Sequence, residues 1–252
     1  MAPAFSESRV RLDLLMAEAG IAPSRARARD AILRGHVRVD GAVATKPGQL
    51  VSPQATISQD DPAASYVSRA ALKLVAGLDT FGLLVEGRTA LDVGASTGGF
   101  TEVLLQRGAR HVVAIDVGHD QMHPSLKDDP RVTCLEGLNA RDLAREHLGG
   151  NPIDLVVCDV SFISMRLALP PALSLAESGA DGVFLVKPQF EAGRAAIGKN
   201  GLLRDPSLGE RIAADMATWL ADEQGWPAHS PIPSPIEGGD GNREFLLVGR
   251  KA

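Results

Sequence analysis

The sequence predicts a doubly wound α/β domain preceded by a smaller α+β unit. From residue 66 onward, apolar segments of strand length alternate with helical patterns, and a glycine-rich loop follows the first of these segments. Before residue 58 the pattern is instead two short helices and a hairpin. The chain has 252 residues, 44% of them hydrophobic and 23% charged, which suits two unequal globular domains. We expect domains over residues 1–58 and 68–252 with a linker over 59–67, where SQDDPAAS lacks apolar periodicity.

The first domain is predicted to contain two helices followed by a hairpin. Apolar residues at helical spacing predict a helix over residues 9–19. Ser24 is a favourable N-cap for a second helix that continues to about residue 34. The segment HVRVDGAVATKP alternates around Asp40-Gly41, a dipeptide typical of two-residue hairpin turns.

The second domain is predicted to be built on a mostly parallel sheet. The segments over residues 153–158 and 182–186 are almost continuously apolar, as expected of strands that are covered on both faces. The full set of predicted elements comprises strands over 89–93, 111–117, 131–135, 153–158, 182–186 and 244–249 and helices over 98–107 and 207–224.

Positive charge is concentrated near the N-terminus although the whole chain is acidic, with a net charge of −5. Such a total argues against a polyphosphate partner only if the charges are evenly spread. They are not, because the second predicted helix and the strand after it carry Arg25, Arg27, Arg29, Arg34 and Arg38. Arginines in this pattern can bind phosphates, but from charge alone an ordinary solvated helix face is an equal alternative.

The segment LDVGASTGGF connects the first strand of the second domain to a helix, where open α/β sheets bind ligands. Its spacing, Gly94 to Gly98 and Gly99, does not match the dinucleotide pattern G-x-G-x-x-G, so a pyrophosphate is disfavoured. Asp92-x-Gly94-x-x-x-Gly98 instead resembles motif I of class I S-adenosylmethionine methyltransferases. Asp116, at the end of the second strand, is expected to accept hydrogen bonds from ribose hydroxyls. The alternative is a turn that only closes the strand against the helix.

Charged residues interrupt apolar sequence at Lys73, Asp159, Lys187 and Glu244. We expect Asp159, Lys187 and Glu244 at the carboxyl edge of the sheet. For any one of them, a surface residue or ion pair is the more frequent explanation. Together they suit methyl transfer to a hydroxyl, which needs a base to take the proton. A lysine can be that base if part of it is neutral, and Lys73 beside Lys187 would favour this. We assign the carboxylates to orienting the lysines and the sugar.

Longer motifs carry a family resemblance over nearly the whole chain. YVSRAALKL, DVGASTGGFTEVLL, CDVSFIS, LVKPQFEAGR and SPIEGGDGNREFLL, behind two helices and GHVRVDG, resemble the TlyA or hemolysin A family of ribosomal RNA cytidine 2'-O-methyltransferases. These have an S4 RNA-binding domain and a methyltransferase domain similar to the FtsJ/RrmJ type. The resemblance implies an S-adenosylmethionine cofactor, a ribosomal RNA or ribosomal subunit partner, and an interdomain linker that responds to RNA.

The same resemblance implies roles for individual residues. A Lys-Asp-Lys-Glu catalytic tetrad would fall on Lys73, Asp159, Lys187 and Glu244, with Lys187 as base. The implied cofactor-binding residues are Asp92, Gly94, Ala95, Ser96, Gly98, Gly99, Phe100, Asp116, Glu136, Asn139 and Asp159. The expected RNA-binding residues are Arg25, Arg27, Arg29, Arg34, Arg38 and Arg69.

Two segments depart from the family pattern. Where the family reads close to DVGYGQL this chain has DVGHDQM, and where it has ERTN this chain has EGLN. Glu136 and Asn139 remain as adenosine-side candidates. The short sequence after the last strand resembles the members that modify only large-subunit RNA, so we expect 23S RNA as substrate, with 16S RNA open.

The sequence shows no feature that is typical of a secreted, membrane-spanning or metal-binding protein. Cys134 and Cys158 form no CxxC motif and are expected to be buried reduced thiols, and no signal peptide, spanning segment or metal-ligand spacing is visible. We therefore expect a cytoplasmic protein without a metal, with a monomer favoured. The alternatives are a membrane-active hemolysin, a non-catalytic RNA-binding ribosome assembly factor and a small-molecule methyltransferase. The non-catalytic factor predicts at least one broken tetrad position, but all four residues are present. The small-molecule methyltransferase leaves the N-terminal unit without a role.

Overall fold

The computed structural model describes residues 8–239 and 241–252. The chain divides into two compact units, of which the first ends at Ser65 and the second runs from Tyr66 to Ala252. The division falls inside the segment predicted as a linker, residues 59–67. Residues 1–7, at the start of the predicted first domain, lie outside the described residues.

The first unit packs two helices against short strands. Ser24 caps the second helix by accepting a hydrogen bond from the backbone N–H of Arg27, as predicted. The hairpin turn is also as predicted, since Asp40 and Gly41 both have positive φ, 48° and 83°. The elements are β1 (Val10–Arg11), α1 (Leu12–Glu18), α2 (Arg25–Leu33), β2 (Val37–Val39), β3 (Ala42–Val43), β4 (Leu50–Val51) and β5 (Ile57–Gln59).

The last residues of the first unit are attached to α2. Strand β5 pairs with β2, and a 3-10 helix covers Pro62–Ser65. Arg34 Nη2 donates to Asp61 Oδ2 at 2.6 Å, and Arg27 Nη2 donates to the Ala63 carbonyl at 2.5 Å. Much of the segment predicted as a linker is therefore fixed to the helix that carries the arginine cluster.

The second unit is a seven-stranded sheet with helices on both faces. The strands are β6 (Thr89–Val93), β7 (His111–Asp116), β8 (Val132–Glu136), β9 (Ile153–Cys158), β10 (Ala176–Val186), β11 (Ile232–Pro233) and β12 (Phe245–Arg250). The helices are α3 (Ala71–Phe81), α4 (Gly99–Gln106), α5 (Pro124–Lys127), α6 (Met165–Ala168), α7 (Pro170–Leu175), α8 (Pro188–Glu191) and α9 (Leu208–Asp222). The strand order is β11-β12-β10-β9-β6-β7-β8, with β6 to β10 parallel and β12 antiparallel to β10.

The apolar strands are buried on both faces, as their sequences predict. Along β9, Leu155 and Val157 pack into one core cluster with α3 and α4, while Val156 and Cys158 pack into the other with α7 and α9. Side chains alternate between the faces of a strand, so a strand covered on both sides must be apolar at every position. The predicted fold class, a doubly wound α/β domain after a small α+β unit, is confirmed.

Helix α3 is absent from the sequence-based prediction, and its glycine explains why. Gly77 lowers the helix propensity of the segment, yet a Cβ there would lie 2.8 Å from Val183 Cγ1 of β10. Glycine is therefore required for the close packing of α3 on the sheet, which positions Lys73. The last strand also begins one residue later than predicted, at Phe245, so Glu244 immediately precedes it.

Candidate active site

The main cavity of the second unit lies at the carboxyl ends of β6 and β9, where the strand order reverses. This is where open α/β sheets bind ligands. The cavity has a volume of about 480 Å³ and is lined by Gly94, Ser96, Ile115, Asp116, Val117, Gln121, Leu138, Asn139, Ala140, Asp159, Val160, Ser161, Phe162, Ile163 and Ala168. That volume lies within the usual range for cofactor sites, roughly 300–1,000 Å³.

The glycine loop after β6 packs closely against the segments around it at two of its glycines. Gly94 has a φ of 83°, and a Cβ there would lie 3.1 Å from the backbone of Val160. Gly98 has a φ of 97°, and a Cβ there would lie 2.4 Å from Leu126 Cδ1. Both positions thus need glycine, for conformation and for space.

Asp92 lies fully buried beneath the loop. Its Oδ2 accepts a hydrogen bond from Thr101 Oγ1 at 2.7 Å, while its Oδ1 has no hydrogen-bond partner among the described residues. Burial raises the pKa of Asp92 to about 7, and the charges of Asp159 and Asp116 add to the shift. The cavity above it is bordered by the carboxylates of Asp116 and Asp159, which favour a cationic ligand and disfavour a pyrophosphate.

Asp116 and Asn139, two predicted cofactor contacts, line the cavity. Asp116 Oδ2 accepts a hydrogen bond from the backbone N–H of Ser96 at 2.8 Å, and its Oδ1 accepts one from Gly118 at 2.7 Å. Asp116 therefore joins the ends of β6 and β7 while its carboxylate borders the space for a ligand.

Glu136 does not line the main cavity. Its carboxylate accepts hydrogen bonds from the backbone N–H groups of Asp120, Gln121 and Met122 at 3.1, 2.7 and 3.0 Å, and from Lys127 Nζ at 3.0 Å. Its pKa is lowered to about 2, first by the Met122 bond and then by Lys127. In this structure the side chain therefore shapes the loop over residues 120–122, of which Gln121 lines the cavity.

The two departures from the family pattern meet in space. Gly137 has a φ of 75°, and a Cβ there would lie 2.4 Å from His119 Cε1. Asp120 has a φ of 54°, a conformation that aspartate tolerates better than most residues other than glycine. The histidine in DVGHDQM thus occupies the space that a side chain would need at the glycine in EGLN.

A smaller cavity of about 160 Å³ also borders the glycine loop and includes Lys187. It shares Gly94, Ser96, Asp159 and Ser161 with the main cavity. Of the predicted cofactor residues, the two cavities together include Gly94, Ala95, Ser96, Gly99, Phe100, Asp116, Asn139 and Asp159; Asp92, Gly98 and Glu136 line neither.

The proposed tetrad is organised as two lysine–carboxylate pairs at the sheet edge. Lys73 Nζ, on α3, lies 2.6 Å from Glu244 Oε2. Both residues are buried, with Lys73 6% exposed and Glu244 4% exposed. Lys187 Nζ, after β10, lies 2.7 Å from Asp159 Oδ1, after β9. The antiparallel pairing of Val186 with Phe245 brings Lys187 and Glu244 to neighbouring strand ends. No described contact joins the two lysines, so each carboxylate holds its own lysine.

Two residues of this edge were missed by the sequence reasoning. Ser161 Oγ accepts a hydrogen bond from Lys187 Nζ at 2.6 Å. Phe162 has a φ of 65° and is 89% exposed at the rim of the main cavity, with its ring centroid 5.2 Å from that of Phe190. The sequence signal for Phe162 was an aromatic residue three positions after the aspartate in CDVSFIS, which does not reveal its exposure.

The arginines of the first unit divide into paired and exposed residues. Arg25 Nε lies 2.9 Å from Asp13 Oδ2, and the half-buried Arg34 contacts both Asp30 and Asp61, which raises its pKa. Arg34 is therefore held by two carboxylates, and its role in RNA binding stays a prediction. Arg29 and Arg38 are exposed, and Arg38 Nη1 contacts only the Gly41 carbonyl among the described residues.

Arg69 belongs to the second unit and precedes α3. It is half-buried, and a Cβ on Gly239 would lie 3.8 Å from its Nη2.

Cys158 is buried and Cys134 is half-buried, and neither is in a disulfide. Within residues 8–239 and 241–252, no helix is long and apolar enough to span a membrane and no cluster of potential metal ligands is found.

Both units of the chain match known protein families. Residues 66–251 match the family model of FtsJ-like methyltransferases, and residues 10–57 match the S4 domain. The chain is 47% identical over 240 residues to the 16S/23S rRNA (cytidine-2'-O)-methyltransferase TlyA of Mycobacterium tuberculosis, covering 95% of this chain and 89% of the relative. It is 38% identical to hemolysin A of Brachyspira hyodysenteriae, covering 94% and 98%.

Solved structures agree. A protein from Streptococcus thermophilus described as a hemolysin superposes with a TM-score of 0.76 at 37% identity, covering 98% of this chain and 90% of that one. A second such protein, from Lactococcus lactis, gives a TM-score of 0.71 at 41% identity over 74% of this chain and 89% of that one.

Proposed function

The chain belongs to the FtsJ-like methyltransferases and, with its S4 domain, to the TlyA or hemolysin A family among them, and we propose that it transfers a methyl group from S-adenosylmethionine to a cytidine 2'-hydroxyl of ribosomal RNA. The observation that supports this most directly is the arrangement of the two cavities. The larger one is bordered by carboxylates, the smaller one includes Lys187, and both share Asp159 and Ser161.

The cofactor fits the main cavity by charge and by shape. S-adenosylmethionine supplies an electrophilic methyl group on a sulfonium cation. Asp92, with its unpartnered buried Oδ1, and Asp159 provide negative charge near the glycine loop. Asp116 and Asn139 would hold the nucleoside part, and Gly94 allows the backbone to approach it closely.

Lys187 is proposed as the base that accepts the proton of the 2'-hydroxyl. It is only 8% exposed and borders the smaller cavity, so it can meet a ribose that enters there. Asp159 and Ser161 fix the position of its Nζ, and a positioned base contributes typically 10²- to 10⁴-fold to a rate. Lys73 and Glu244 pair at the same edge of the sheet and are proposed to orient the sugar.

RNA recognition is proposed to combine an aromatic residue at the cavity with exposed arginines in the S4 domain. Phe162 presents an exposed ring beside the site, and single-stranded bases commonly stack on such rings. Arg29 and Arg38 are available for phosphates. For the substrate we propose 23S RNA, because the names of the TlyA relatives from Mycobacterium tuberculosis and Campylobacter jejuni both include it.

Transfer of tritiated methyl from S-adenosylmethionine to isolated large and small ribosomal subunits, and to naked RNA, tests the proposal. We expect label in large-subunit RNA with the wild-type protein and at least a 100-fold slower reaction with Lys187→Ala. Lys199→Ala, which removes an exposed lysine, is the matched control and should react at the wild-type rate. No label in any RNA, or equal rates for Lys187→Ala and wild type, would reject it.

A further inference from the structure

Two segments that follow neighbouring strands carry much of the proposed active site. The aspartate segment, residues 159–165, follows β9 and includes Asp159 and Phe162. The lysine segment, residues 187–191, follows β10 and consists of Lys187 and the single helical turn α8. Both lie at the carboxyl edge of the sheet.

At their strand-proximal ends the segments are joined through Lys187. Its Nζ lies 2.7 Å from Asp159 Oδ1 and donates to the Asp159 carbonyl at 3.3 Å and to Ser161 Oγ at 2.6 Å. These bonds involve the lysine that the proposed reaction uses as base, so they cannot by themselves keep the aspartate segment in place while that lysine exchanges a proton.

At their far ends the segments are joined through Glu191. Its Oε1 accepts a hydrogen bond from the backbone N–H of Met165 at 2.8 Å, and its Oε2 accepts one from Ser164 Oγ at 2.5 Å. Ser164 in turn caps α6 by accepting from the backbone N–H of Arg166 at 3.1 Å. The carboxylate thus fixes both the backbone and the cap at the end of the aspartate segment.

Between the two junctions lies Phe162, in a conformation that an aromatic residue seldom adopts. Its φ of 65° places it in the left-handed region, and its ring is almost fully exposed apart from the contact with Phe190. Such a backbone conformation persists only where the surrounding structure holds it on both sides. Lys187 holds one side, and Glu191 holds the other.

We propose that Glu191 is a positioning residue for methyl transfer, which fixes the aspartate segment so that Asp159, Ser161 and Phe162 keep their places relative to Lys187. This rests on the proposed function. One helical turn separates Lys187 from Glu191, so the base and the positioning carboxylate move as one piece. Glu191 acts through its hydrogen bonds with Ser164 Oγ and the Met165 backbone N–H.

Kinetics of wild type, Glu191→Ala and Glu191→Gln test this role, with Glu177→Ala, an exposed glutamate at the start of β10, as control. A displacement of about 1 Å can lower a rate about 100-fold, so we expect kcat of Glu191→Ala to fall 10- to 100-fold. Glutamine can accept from Met165 and donate to Ser164, so Glu191→Gln should stay within about threefold of wild type. Ser164→Ala should add little to Glu191→Ala, because the two side chains act as one unit.

Hydrogen exchange supplies a readout that does not depend on activity. The peptide that contains the Met165 amide should exchange faster in Glu191→Ala but not in Glu191→Gln or Glu177→Ala. The proposal would be overturned by wild-type kinetics in Glu191→Ala or by equal impairment of both Glu191 variants. Independent effects of Ser164→Ala and Glu191→Ala would also overturn it. Absence of methyl transfer by the wild-type protein would reject the proposed function instead, and the exchange pattern would still decide whether Glu191 holds the segment.

Discussion

Charged side chains have different tasks in the two units of this protein. In the S4 domain, arginines clustered in sequence are partly consumed by ion pairs such as Arg34 with Asp61. In the methyltransferase domain, charged residues far apart in sequence meet as Lys73 with Glu244 and Lys187 with Asp159. The first set lies largely at the surface of a small unit, whereas the second is mostly buried at one edge of a sheet.

The difference shows which sequence signals carry positional information. A charge that interrupts a buried strand has its location fixed by the strand, so Lys187 and Asp159 could be placed at the sheet edge from sequence. Clustered arginines on a helix only indicate a positive surface, and which of them binds an aspartate depends on the rest of the fold. Arg34 is the example, since Asp61 reaches it from 27 residues away.

The largest expected effect concerns the buried pair Lys73 and Glu244. Removing one partner leaves an uncompensated buried charge, so Lys73→Met or Glu244→Leu should lower the free energy of unfolding by about 3–5 kcal/mol. The double variant should recover most of that stability and none of the activity. Urea unfolding and methyl transfer, measured on the same preparations, check this. Recovery of activity in the double variant would show that the pair serves stability alone.

The next effect concerns Asp92, whose pKa of about 7 lies above its value in the unfolded chain. The folded state therefore binds the proton more tightly, and the free energy of unfolding falls as the pH rises from about 4 to 7. Asp92→Asn removes this loss, so it should stabilise the cofactor-free protein by up to about 4 kcal/mol at pH 8 and little at pH 4.

Thermal unfolding at the two pH values, with and without S-adenosylmethionine, measures this difference. The same substitution should weaken cofactor binding at pH 8, because it removes a negative charge beneath the glycine loop. A stabilisation by Asp92→Asn that is equal at pH 4 and pH 8 would show that the effect does not come from the titration of Asp92, and so would contradict a raised pKa for this residue.

A smaller effect is expected at Phe162. If its ring stacks on a base, Phe162→Ala should raise KM for RNA by about 5- to 150-fold, corresponding to roughly 1–3 kcal/mol per stacked base. Cofactor affinity and melting temperature should change little, since the ring is 89% exposed. Phe162→Trp keeps an aromatic surface and should retain most of the RNA affinity; equal loss in both variants would argue against stacking.

The smallest effects divide the arginines of the S4 domain. Arg29→Ala and Arg38→Ala should each weaken RNA binding about equally for all RNA sequences. Each should also reduce the slope of log K against log salt concentration by about one unit, without a change in stability. Arg34→Ala should instead destabilise the protein by roughly 1–3 kcal/mol, because it leaves Asp61 without its partner. Binding at several salt concentrations and urea unfolding separate the two classes.

The sequence predicted the alternation of strands and helices, the glycine loop and the strand-end charges, because each depends on local periodicity or on strand register. It did not predict α3, whose Gly77 weakens the helical signal but is needed for packing against Val183. It also missed the shaping role of Glu136 and the contacts of Glu191. These depend on which loops meet in space, and no local pattern encodes that.

Lys187 is proposed to serve methylation of a ribose hydroxyl in large-subunit RNA. Alkaline cleavage detects that product, because a 2'-O-methyl group removes the nucleophile needed for cleavage on its 3' side. After incubation with wild-type protein and S-adenosylmethionine, we expect one new gap at a cytidine of 23S RNA, absent with Lys187→Ala and present with Lys199→Ala. Label in RNA without any gap, or a gap that persists in Lys187→Ala, would contradict the account.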